Sequence, residues 1–338
     1  MRVAGRAGSR WLAPFGAAFG AGAALRVGLY RRGWLRQSRL SGPVISVGNL
    51  SVGGSGKTPL VARIAEILRD AGEPVAVLSR GYGGSFRGDY LIVGDGAAVM
   101  ADSAEAGDEP VMLARALPGV LVAVGRRRDR VGRAVEARYG RRVHVLDDGF
   151  QHLRLFRDLD VLSVSDPDLQ DRPLPAGRLR ERASASARAD VLCVWSPASV
   201  SFGDGAAPGE GRTFRVTRRP LGFFDAAGQP RPAPARPFLL SGIANPERFW
   251  SDMAAIAPGV VGRSAYPDHH RFTAAEIRRL YDDARAVRAD AIVTTAKDAV
   301  RLPPVAPELP VLVFRIAAQI EDEPRFRDRL LAAARRAT

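Results

Sequence analysis

The stretch Pro43-Val-Ile-Ser-Val-Gly-Asn-Leu-Ser-Val-Gly-Gly-Ser-Gly-Lys-Thr-Pro59 predicts the fold of this chain. An apolar strand leads into a glycine-rich turn, and the amphipathic stretch Leu60–Ala71 that follows predicts a helix. Glycines allow backbone N–H groups to surround phosphate oxygens, and the helix N-terminus adds its dipole. We therefore expect a loop that binds a nucleoside triphosphate, with Lys57 on the β- and γ-phosphates and Thr58 on Mg²⁺.

Six consecutive residues form the expected loop: Gly53, Gly54, Ser55, Gly56, Lys57 and Thr58. A strict motif has glycine where this chain has Ser51, but strand, glycine-rich turn, Gly-Lys-Thr and helix occur in the required order. Lys57 is one of only two lysines among 50 basic residues, and the other is Lys297. A GC-rich genome explains the excess of arginine, and a lysine that persists suggests a position that needs a compact ammonium group.

Two pairs of adjacent carboxylates lie where metal or proton chemistry can occur. Asp147 and Asp148 follow a predicted strand, and a carboxylate there can hold Mg²⁺ directly or through water. A simple Asp-Asp-Gly turn is the alternative interpretation. Asp108 and Glu109 open a predicted helix, where such residues usually cap the helix. Phosphoryl transfer to a hydroxyl, however, needs a carboxylate near the acceptor.

Strands and helices alternate along the chain after residue 43. Continuous apolar strands between amphipathic helices predict an α/β fold like that of P-loop NTPases, a mostly parallel sheet with helices on both faces. The predicted strands are Pro43–Asn49, Pro74–Arg80, Val120–Gly125, Val143–Asp148, Asp160–Ser165, Asp190–Ser196, Phe238–Ala244, Val260–Tyr266, Ala291–Ala296 and Val311–Ile316. The predicted helices are Leu60–Ala71, Asp129–Tyr139, Ala274–Val287 and Phe326–Arg336.

Glycine and proline are concentrated in residues 197–237, which we interpret as the connection between two domains. A second, smaller α/β run follows this connection. The predicted organisation is an N-terminal basic and apolar segment at 1–40, a P-loop domain at 41–217, a linker at 218–237 and a smaller α/β domain at 238–338.

The first forty residues carry most of the positive charge. The formal net charge is +14, and residues 1–40 contribute eight arginines and no acidic residue. The apolar run Trp11–Leu25 is shorter than the roughly 18–20 residues of a membrane-crossing helix. It is similar to a signal peptide, which we reject because the nucleotide-binding loop needs cytoplasmic ATP. Residues 25–40 interleave apolar side chains with arginines, so we expect them to lie on an anionic membrane surface; a helix packed on the protein is the alternative.

Composition excludes several classes of protein. With 46% hydrophobic and 25% charged residues and a mean hydropathy of −0.08, the chain is neither disordered nor a polytopic membrane protein. The single cysteine, Cys193, cannot form an internal disulfide and is expected to be buried. The alternative function is a P-loop ATPase that acts on nucleic acid or as a membrane-associated switch. Because the charge lies mainly at the N-terminus and aromatic residues make up 7%, we expect no nucleic-acid partner.

Seven short motifs run in order across residues 43–301: Val47–Pro59, Leu78–Gly83, Gly107–Pro110, Asp147–His152, Pro175–Glu181, Asp268–His269 and Thr294–Arg301. Together they resemble the tetraacyldisaccharide 4'-kinases, the lipid A 4'-kinases of Gram-negative bacteria. The resemblance implies ATP-dependent phosphorylation of the 4'-hydroxyl of tetraacyldisaccharide 1-phosphate, which forms lipid IVA, at the cytoplasmic face of the inner membrane. It also implies a membrane-associated N-terminal helix and two domains joined by a β-strand linker.

The resemblance further implies a role for one aspartate and one histidine. Asp108 is similar to the catalytic base of the family, assisted by a histidine from the second domain. The sequence Asp268-His269-His270 offers two histidines, and we select His269 because it directly follows the aspartate. Such a pair requires a cleft between the two domains.

The remaining implied roles concern the nucleotide and the acceptor. Lys57 and Thr58 are implied to hold the triphosphate and Mg²⁺, with Glu109 and Asp147 near the metal. Further active-site or acceptor contacts are implied for Asn49, Arg80, Tyr82, Asp148, Gln151, His152, Arg180 and Glu181.

Overall fold

The computed structural model describes residues 11–53, 56–165, 169–195, 211–306 and 308–335. Gly54 and Ser55 of the expected phosphate-binding loop therefore lie outside the described residues, as do residues 197–210 of the predicted connection at 197–237. The described residues form an α/β structure around one large twisted sheet.

Thirteen strands form this sheet within the described ranges: β1 Val44–Asn49, β2 Val75–Ser79, β3 Leu91–Gly94, β4 Leu121–Val124, β5 Val143–Asp147, β6 Leu159–Val164, β7 Val191–Trp195, β8 Thr213–Phe224, β9 Pro230–Arg231, β10 Pro237–Ser241, β11 Gly262–Ala265, β12 Ala291–Thr295 and β13 Val311–Ile320. Their order is β11-β10-β12-β13-β8-β7-β6-β1-β5-β2-β4-β3, with β9 beside β8. Neighbours are parallel except at β13–β8, β8–β9 and β4–β3.

The helices in the described residues are α1 Ala13–Arg31, α2 Lys57–Asp70, α3 Ser103–Ala106, α4 Asp108–Ala116, α5 Arg128–Tyr139, α6 Pro246–Ile256, α7 Ala274–Ala286, α8 Ala296–Ala299 and α9 Glu323–Arg335. A 3₁₀ helix spans Ala183–Arg188. The predicted helices of the sequence analysis correspond to α2, α5, α7 and α9, with ends that differ by a few residues.

Helix α2 shows why the central strands are mostly apolar and buried along their whole length. Its side chains Leu60, Ile64 and Leu68 recur every four residues and are fully buried. They pack against Ile45 and Val47 of β1, while the opposite face of the sheet is covered by other elements. Burying a side chain of this size stabilises the fold by about 1.5–3 kcal/mol, so a charged residue at position 64 would be strongly destabilising.

Strand β8 is missing from the strands that the residue pattern predicts, and it lies in the connection for which the resemblance implies a β-strand linker. It pairs in parallel with β7 and antiparallel with β13, so the sheet continues across the predicted boundary at residue 217. Exposed and buried residues alternate in the first half of β8, which is typical of a strand. The surrounding glycines and prolines dominated the composition and hid this alternation. Strand β3, a short edge strand, was also not predicted.

Helix α1 contains most of the apolar run at the N-terminus. Gly16 and Gly20 are its buried residues, and they contact Pro173, Ala176 and Arg182. The residues on its other face are exposed: Phe15, Phe19 and Leu25, with Trp11 just before the helix. Among the described residues, no helix is both long and apolar enough to cross a membrane.

The two ends of the sheet approach each other. Helix α4 lies between β3 and β4 at one end of the strand order, and α8 follows β12 near the other end. These helices pack together, and Ser103 Oγ of α3 donates a hydrogen bond to the carbonyl of Val300, 2.8 Å away. The sheet is therefore curled, and the carboxyl ends of strands from both sides meet around one cleft.

Candidate active site

The glycine-rich loop that the sequence predicts to bind phosphate joins β1 to α2. Gly56 caps the helix with a left-handed backbone (φ 72°), and a Cβ added there would lie 2.7 Å from the ring of Trp195. Both the backbone conformation and this contact require glycine. Lys57 Nζ donates to Asn49 Oδ1 at 2.8 Å and to Asp148 Oδ1 at 2.6 Å. The ammonium group is thus held at the helix N-terminus, where anions bind.

Asp148 links the loop to a second cation. Its other oxygen accepts a hydrogen bond from Arg180 at 2.7 Å, and its backbone is left-handed with φ 54°. Burial alone would raise the pKa of Asp148, but the charges of Lys57 and Arg180 outweigh it and lower the pKa. Asp148 is therefore an ionised carboxylate that orients both cations.

Asp147 has the opposite electrostatic environment. It is 3% exposed and accepts a hydrogen bond from Ser79 Oγ at 2.9 Å. Burial, followed by the negative charge of Glu109, raises the pKa of Asp147 to about 7. The carboxylates of Asp147 and Glu109 repel each other, and the Thr58 hydroxyl lies at the start of α2. Such oxygen atoms are the hard ligands that Mg²⁺ prefers.

A buried hydrogen-bond network supports this part of the cleft. Gln151 Nε2 donates to the carbonyl of Asn49 at 3.0 Å and to Glu181 Oε1 at 3.1 Å. Glu181 is 5% exposed and is paired with both terminal nitrogens of Arg188. Glu181 therefore positions Gln151, and Gln151 in turn holds the end of β1. Glu181 supports the cleft from the protein interior.

Asp108 and His269 are in contact across the cleft. The distance from Asp108 Oδ2 to His269 Nδ1 is 2.8 Å, and Asp108 is 8% exposed. Gly107 precedes α4 with φ 93°, and a Cβ there would lie 2.4 Å from the carbonyl oxygen of Tyr82. Arg301 Nε lies 3.4 Å from the same Asp108 oxygen. A carboxylate at the first turn of α4 is thus oriented by a histidine and an arginine from the opposite end of the sheet.

The neighbouring histidine, His270, points elsewhere. Its Nε2 lies 3.1 Å from Glu276 Oε1, and its ring stacks on Tyr266 with 4.7 Å between ring centroids. His269 has a left-handed backbone (φ 61°) and meets the edge of the exposed Tyr82 ring at 6.0 Å. Of the two histidines, His269 is therefore the one that faces Asp108.

A cavity of about 600 Å³ adjoins Asp148, Gln151 and His152. Seven arginines line it: Arg26, Arg80, Arg87, Arg126, Arg127, Arg128 and Arg180. Burial, together with the charge of Arg80, lowers the pKa of Arg128 to about 10. Burial, followed by the charge of Arg128, lowers the pKa of His152 to about 3, so this histidine is neutral. Such a concentration of cations favours an anionic ligand.

Several residues of the cleft were not predicted from the sequence. Ser79 contacts Asp147, Arg128 lines the cavity, and Arg301 lies against Asp108. The run Arg126–Arg128 follows β4, so its position after a predicted strand was a usable signal. Arg301 ends the motif Thr294–Arg301, but its proximity to Asp108 follows only from the curvature of the sheet.

Comparison with known proteins identifies the family. The family model described as Tetraacyldisaccharide-1-P 4'-kinase matches residues 8–335. The chain belongs to the tetraacyldisaccharide-1-P 4'-kinase family.

Relatives in this family cover nearly the whole chain. The tetraacyldisaccharide 4'-kinase of Anaeromyxobacter dehalogenans (strain 2CP-C) is 43% identical over 313 residues, which are 85% of this chain and 80% of the relative. That of Geobacter metallireducens is 40% identical over 298 residues, 85% of this chain and 87% of the relative. The crystal structure of the "apo" form of LpxK from Aquifex aeolicus in complex with ATP is 30% identical, with a TM-score of 0.81 over 96% of this chain and 99% of that one.

These comparisons confirm the predicted family, the kinase class and the α/β fold with its mostly parallel sheet. In this chain the structure shows Lys57 paired with Asp148, the buried carboxylate of Asp108 beside His269, and a cavity lined by arginines.

Proposed function

We propose that this chain transfers the γ-phosphate of ATP to the 4'-hydroxyl of tetraacyldisaccharide 1-phosphate, which forms lipid IVA. The contact between Asp108 and His269 is the observation that carries the proposal, since a buried carboxylate at the cleft provides the base that a hydroxyl acceptor requires. A protein that only binds ATP has no need for a base in this cleft.

The proposed reaction follows from the charges around the cleft. Asp108 accepts the proton of the 4'-hydroxyl as the hydroxyl oxygen forms its bond to the γ-phosphorus. The bond between the γ-phosphorus and the β,γ-bridging oxygen breaks, and ADP leaves with that electron pair. Lys57 and the N-terminus of α2 stabilise the negative charge on the phosphates. The contribution of the protein is thus mainly positioning and charge stabilisation.

Magnesium fits the proposed site because a nearby cation would lower the raised pKa of Asp147 and so stabilise its ionised form. Thr58, Glu109 and Asp147 are the residues that would hold it. When bound, Mg²⁺ would neutralise charge on the β- and γ-phosphates. Asp148 is already committed to Lys57 and Arg180.

The arginine-lined cavity suits the 1-phosphate of the proposed acceptor. Among the described residues, Arg80, Arg126 and Arg128 form no ion pair with a carboxylate, so their charges are available to a phosphate. Arg26 of α1 also lines this cavity. The same helix that would meet the membrane therefore contributes to the acceptor site.

Helix α1 supports association with the cytoplasmic face of the inner membrane. Trp11, Phe15 and Leu25 are 87%, 65% and 64% exposed, which is unusual for large apolar residues of one short segment. Arginines follow at the end of the helix, as in segments that lie among anionic headgroups. A membrane-bound enzyme would meet its lipid acceptor without first extracting it.

We also retain the proposed division into a P-loop kinase domain at 41–217, a linker at 218–237 and a smaller domain at 238–338, preceded by the membrane segment at 1–40. Asp108 and His269 come from the two different domains in this division, so movement between them would open and close the cleft.

A transfer assay tests the proposal. Labelled ATP and tetraacyldisaccharide 1-phosphate in detergent micelles are incubated with wild type, Asp108→Asn and the control Asp282→Asn. Asp282 carries a carboxylate on α7 whose side chain is 65% exposed. We expect Asp108→Asn to lower kcat by about 10²–10⁴-fold and the control to keep wild-type activity. Undiminished transfer by Asp108→Asn would remove Asp108 as the base, and no transfer by folded, ATP-binding wild type would remove the kinase proposal.

A further inference from the structure

Lys297, the second of the two lysines, is not used by the proposed function. It belongs to the short helix α8, which begins directly after β12 at the edge of the cleft. Its ammonium nitrogen lies 2.9 Å from Asp268 Oδ1 and 3.2 Å from His269 Nε2. The imidazole of His269 is therefore placed between two partners, Asp108 at Nδ1 and Lys297 at Nε2.

Hydrogen-bond chemistry determines where the hydrogen on this imidazole lies. An ammonium group has donors and no acceptor, so Nε2 must accept from Lys297 and carry no hydrogen. The single hydrogen of the neutral ring is then on Nδ1, from which it is donated to the carboxylate of Asp108.

Asp268 would favour the opposite tautomer if Lys297 were absent. Its Oδ2 lies 3.8 Å from His269 Nε2, close enough to accept a hydrogen bond after a small movement. In this structure the ammonium group is bound to the other oxygen of Asp268 and compensates its charge. Lys297 therefore removes the acceptor that would otherwise compete for the hydrogen of His269.

We propose that Lys297 is a positioning residue that keeps His269 in the Nδ1–H tautomer, and this proposal rests on the proposed role of Asp108 as base. With the hydrogen on Nε2, the Nδ1 lone pair would face the Asp108 carboxylate, and the contact would persist only if Asp108 were protonated. A protonated carboxyl cannot accept the proton of the acceptor hydroxyl. The ammonium group thus acts on the base through the histidine between them.

Nitrogen-15 NMR of the imidazole rings measures the tautomer without any substrate. The chain has four histidines, and His269→Gln identifies the signals of His269. In wild type we expect a hydrogen on Nδ1 and a bare Nε2. Lys297→Met, which keeps length and removes the donor, should move the hydrogen to Nε2. Lys297→Arg should retain the Nδ1–H tautomer, because guanidinium is also a pure donor.

Two further measurements separate this role from a structural one. In the transfer assay, Lys297→Met should lower kcat by at least about tenfold while KM for ATP changes by less than about twofold, and Lys297→Arg should restore part of kcat. Adding Asp268→Asn to Lys297→Met should return part of the Nδ1–H population, because the competing carboxylate is gone. Asp268→Asn alone should leave the tautomer as in wild type.

Failure of this proposal differs from failure of the proposed function. An unchanged tautomer in folded Lys297→Met would overturn the positioning role even if Asp108→Asn abolishes transfer. A shifted tautomer with unchanged kcat would overturn it as well. Transfer by Asp108→Asn at the wild-type rate would instead refute the base, while the NMR result would still report the tautomer.

Discussion

Oδ2 of Asp108 and Nδ1 of His269 lie 2.8 Å apart although 161 residues separate them in the chain. One residue begins a helix near the β3–β4 end of the sheet, and the other follows β11 at the opposite end. The contact therefore depends on the curvature of the whole sheet. Without knowledge of this contact, Asp108 resembles an ordinary helix cap and His269 resembles an ordinary surface histidine.

Arg128→Met should weaken binding of the acceptor. This side chain lines the cationic cavity and pairs with no carboxylate among the described residues, so a phosphate is the expected partner. Because a hydrogen bond to a charged group contributes about 1.5–3 kcal/mol, we expect KM for the lipid to rise about 10–150-fold. The affinity for ATP, measured by calorimetry, should not change. Arg133→Met, on the exposed side of α5, is the control; equal KM values for both variants would contradict the cavity assignment.

Gly107→Ala should destabilise the fold and disturb Asp108. A Cβ at this position meets the carbonyl oxygen of Tyr82 at 2.4 Å, in addition to the unfavourable φ of 93°. We expect a loss of about 1–3 kcal/mol in the free energy of unfolding and a lower kcat. Gly140→Ala provides a matched comparison, since Gly140 has φ 78° but no neighbour within 4 Å of the added Cβ. If both variants lose equal stability and activity, the contact with Tyr82 is unimportant.

His152 should make the protein sensitive to acid. Burial and the charge of Arg128 lower its pKa from 6.5 to about 3, so the folded state binds fewer protons than the unfolded state between these values. The contribution of this group to stability is complete above pH 6.5 and falls as the pH decreases towards 3. Between pH 7 and pH 5, wild type should lose about 2 kcal/mol more than His152→Gln in guanidinium unfolding. Parallel losses in the two proteins would show that His152 titrates normally.

Replacing the exposed apolar residues of α1 should weaken membrane binding. A variant with Phe15, Phe19 and Leu25 changed to serine removes side chains that each contribute up to about 1.5–3 kcal/mol when buried in lipid. We expect at least about a tenfold lower partition onto anionic vesicles in a sedimentation assay. The control changes Tyr90 and Leu221, which are 40% and 41% exposed elsewhere on the surface, to serine. Unchanged vesicle binding of the α1 variant would exclude this helix as the membrane contact.

The sequence was sufficient for features that local chemistry controls. The strand, the glycine-rich turn and the lysine at the start of α2 are contiguous, so their spacing alone predicts the loop. The parallel strands β1 and β5 are buried along their length and mostly apolar, because helices cover both faces. Asp147 could be placed near the loop because carboxyl ends of parallel strands lie at one edge.

Features that depend on long-range packing could not be predicted in the same way. Strand β8 lies among glycines and prolines, and its pairing with β13 requires partners almost a hundred residues later. The approach of Arg301 to Asp108 follows from the curled sheet, which no spacing in the sequence encodes. The tautomer of His269 depends on Lys297, whose rarity was visible but whose partner was not.

Strand β8 also limits how far the two sides of the sheet can twist against each other. The strands on its two sides share its backbone, so any rotation of one side against the other must twist a hydrogen-bonded ladder. The ladder has one irregularity, where Arg315 faces Gly222 and Ile316 faces Pro220, which leaves Leu221 as an extra residue. A bulge interrupts the ladder and proline has no N–H to donate, so the resistance to twisting is lowest there. The compliance of the sheet is thus concentrated at this bulge, whose residues belong neither to the glycine-rich loop nor to the pair of Asp108 and His269.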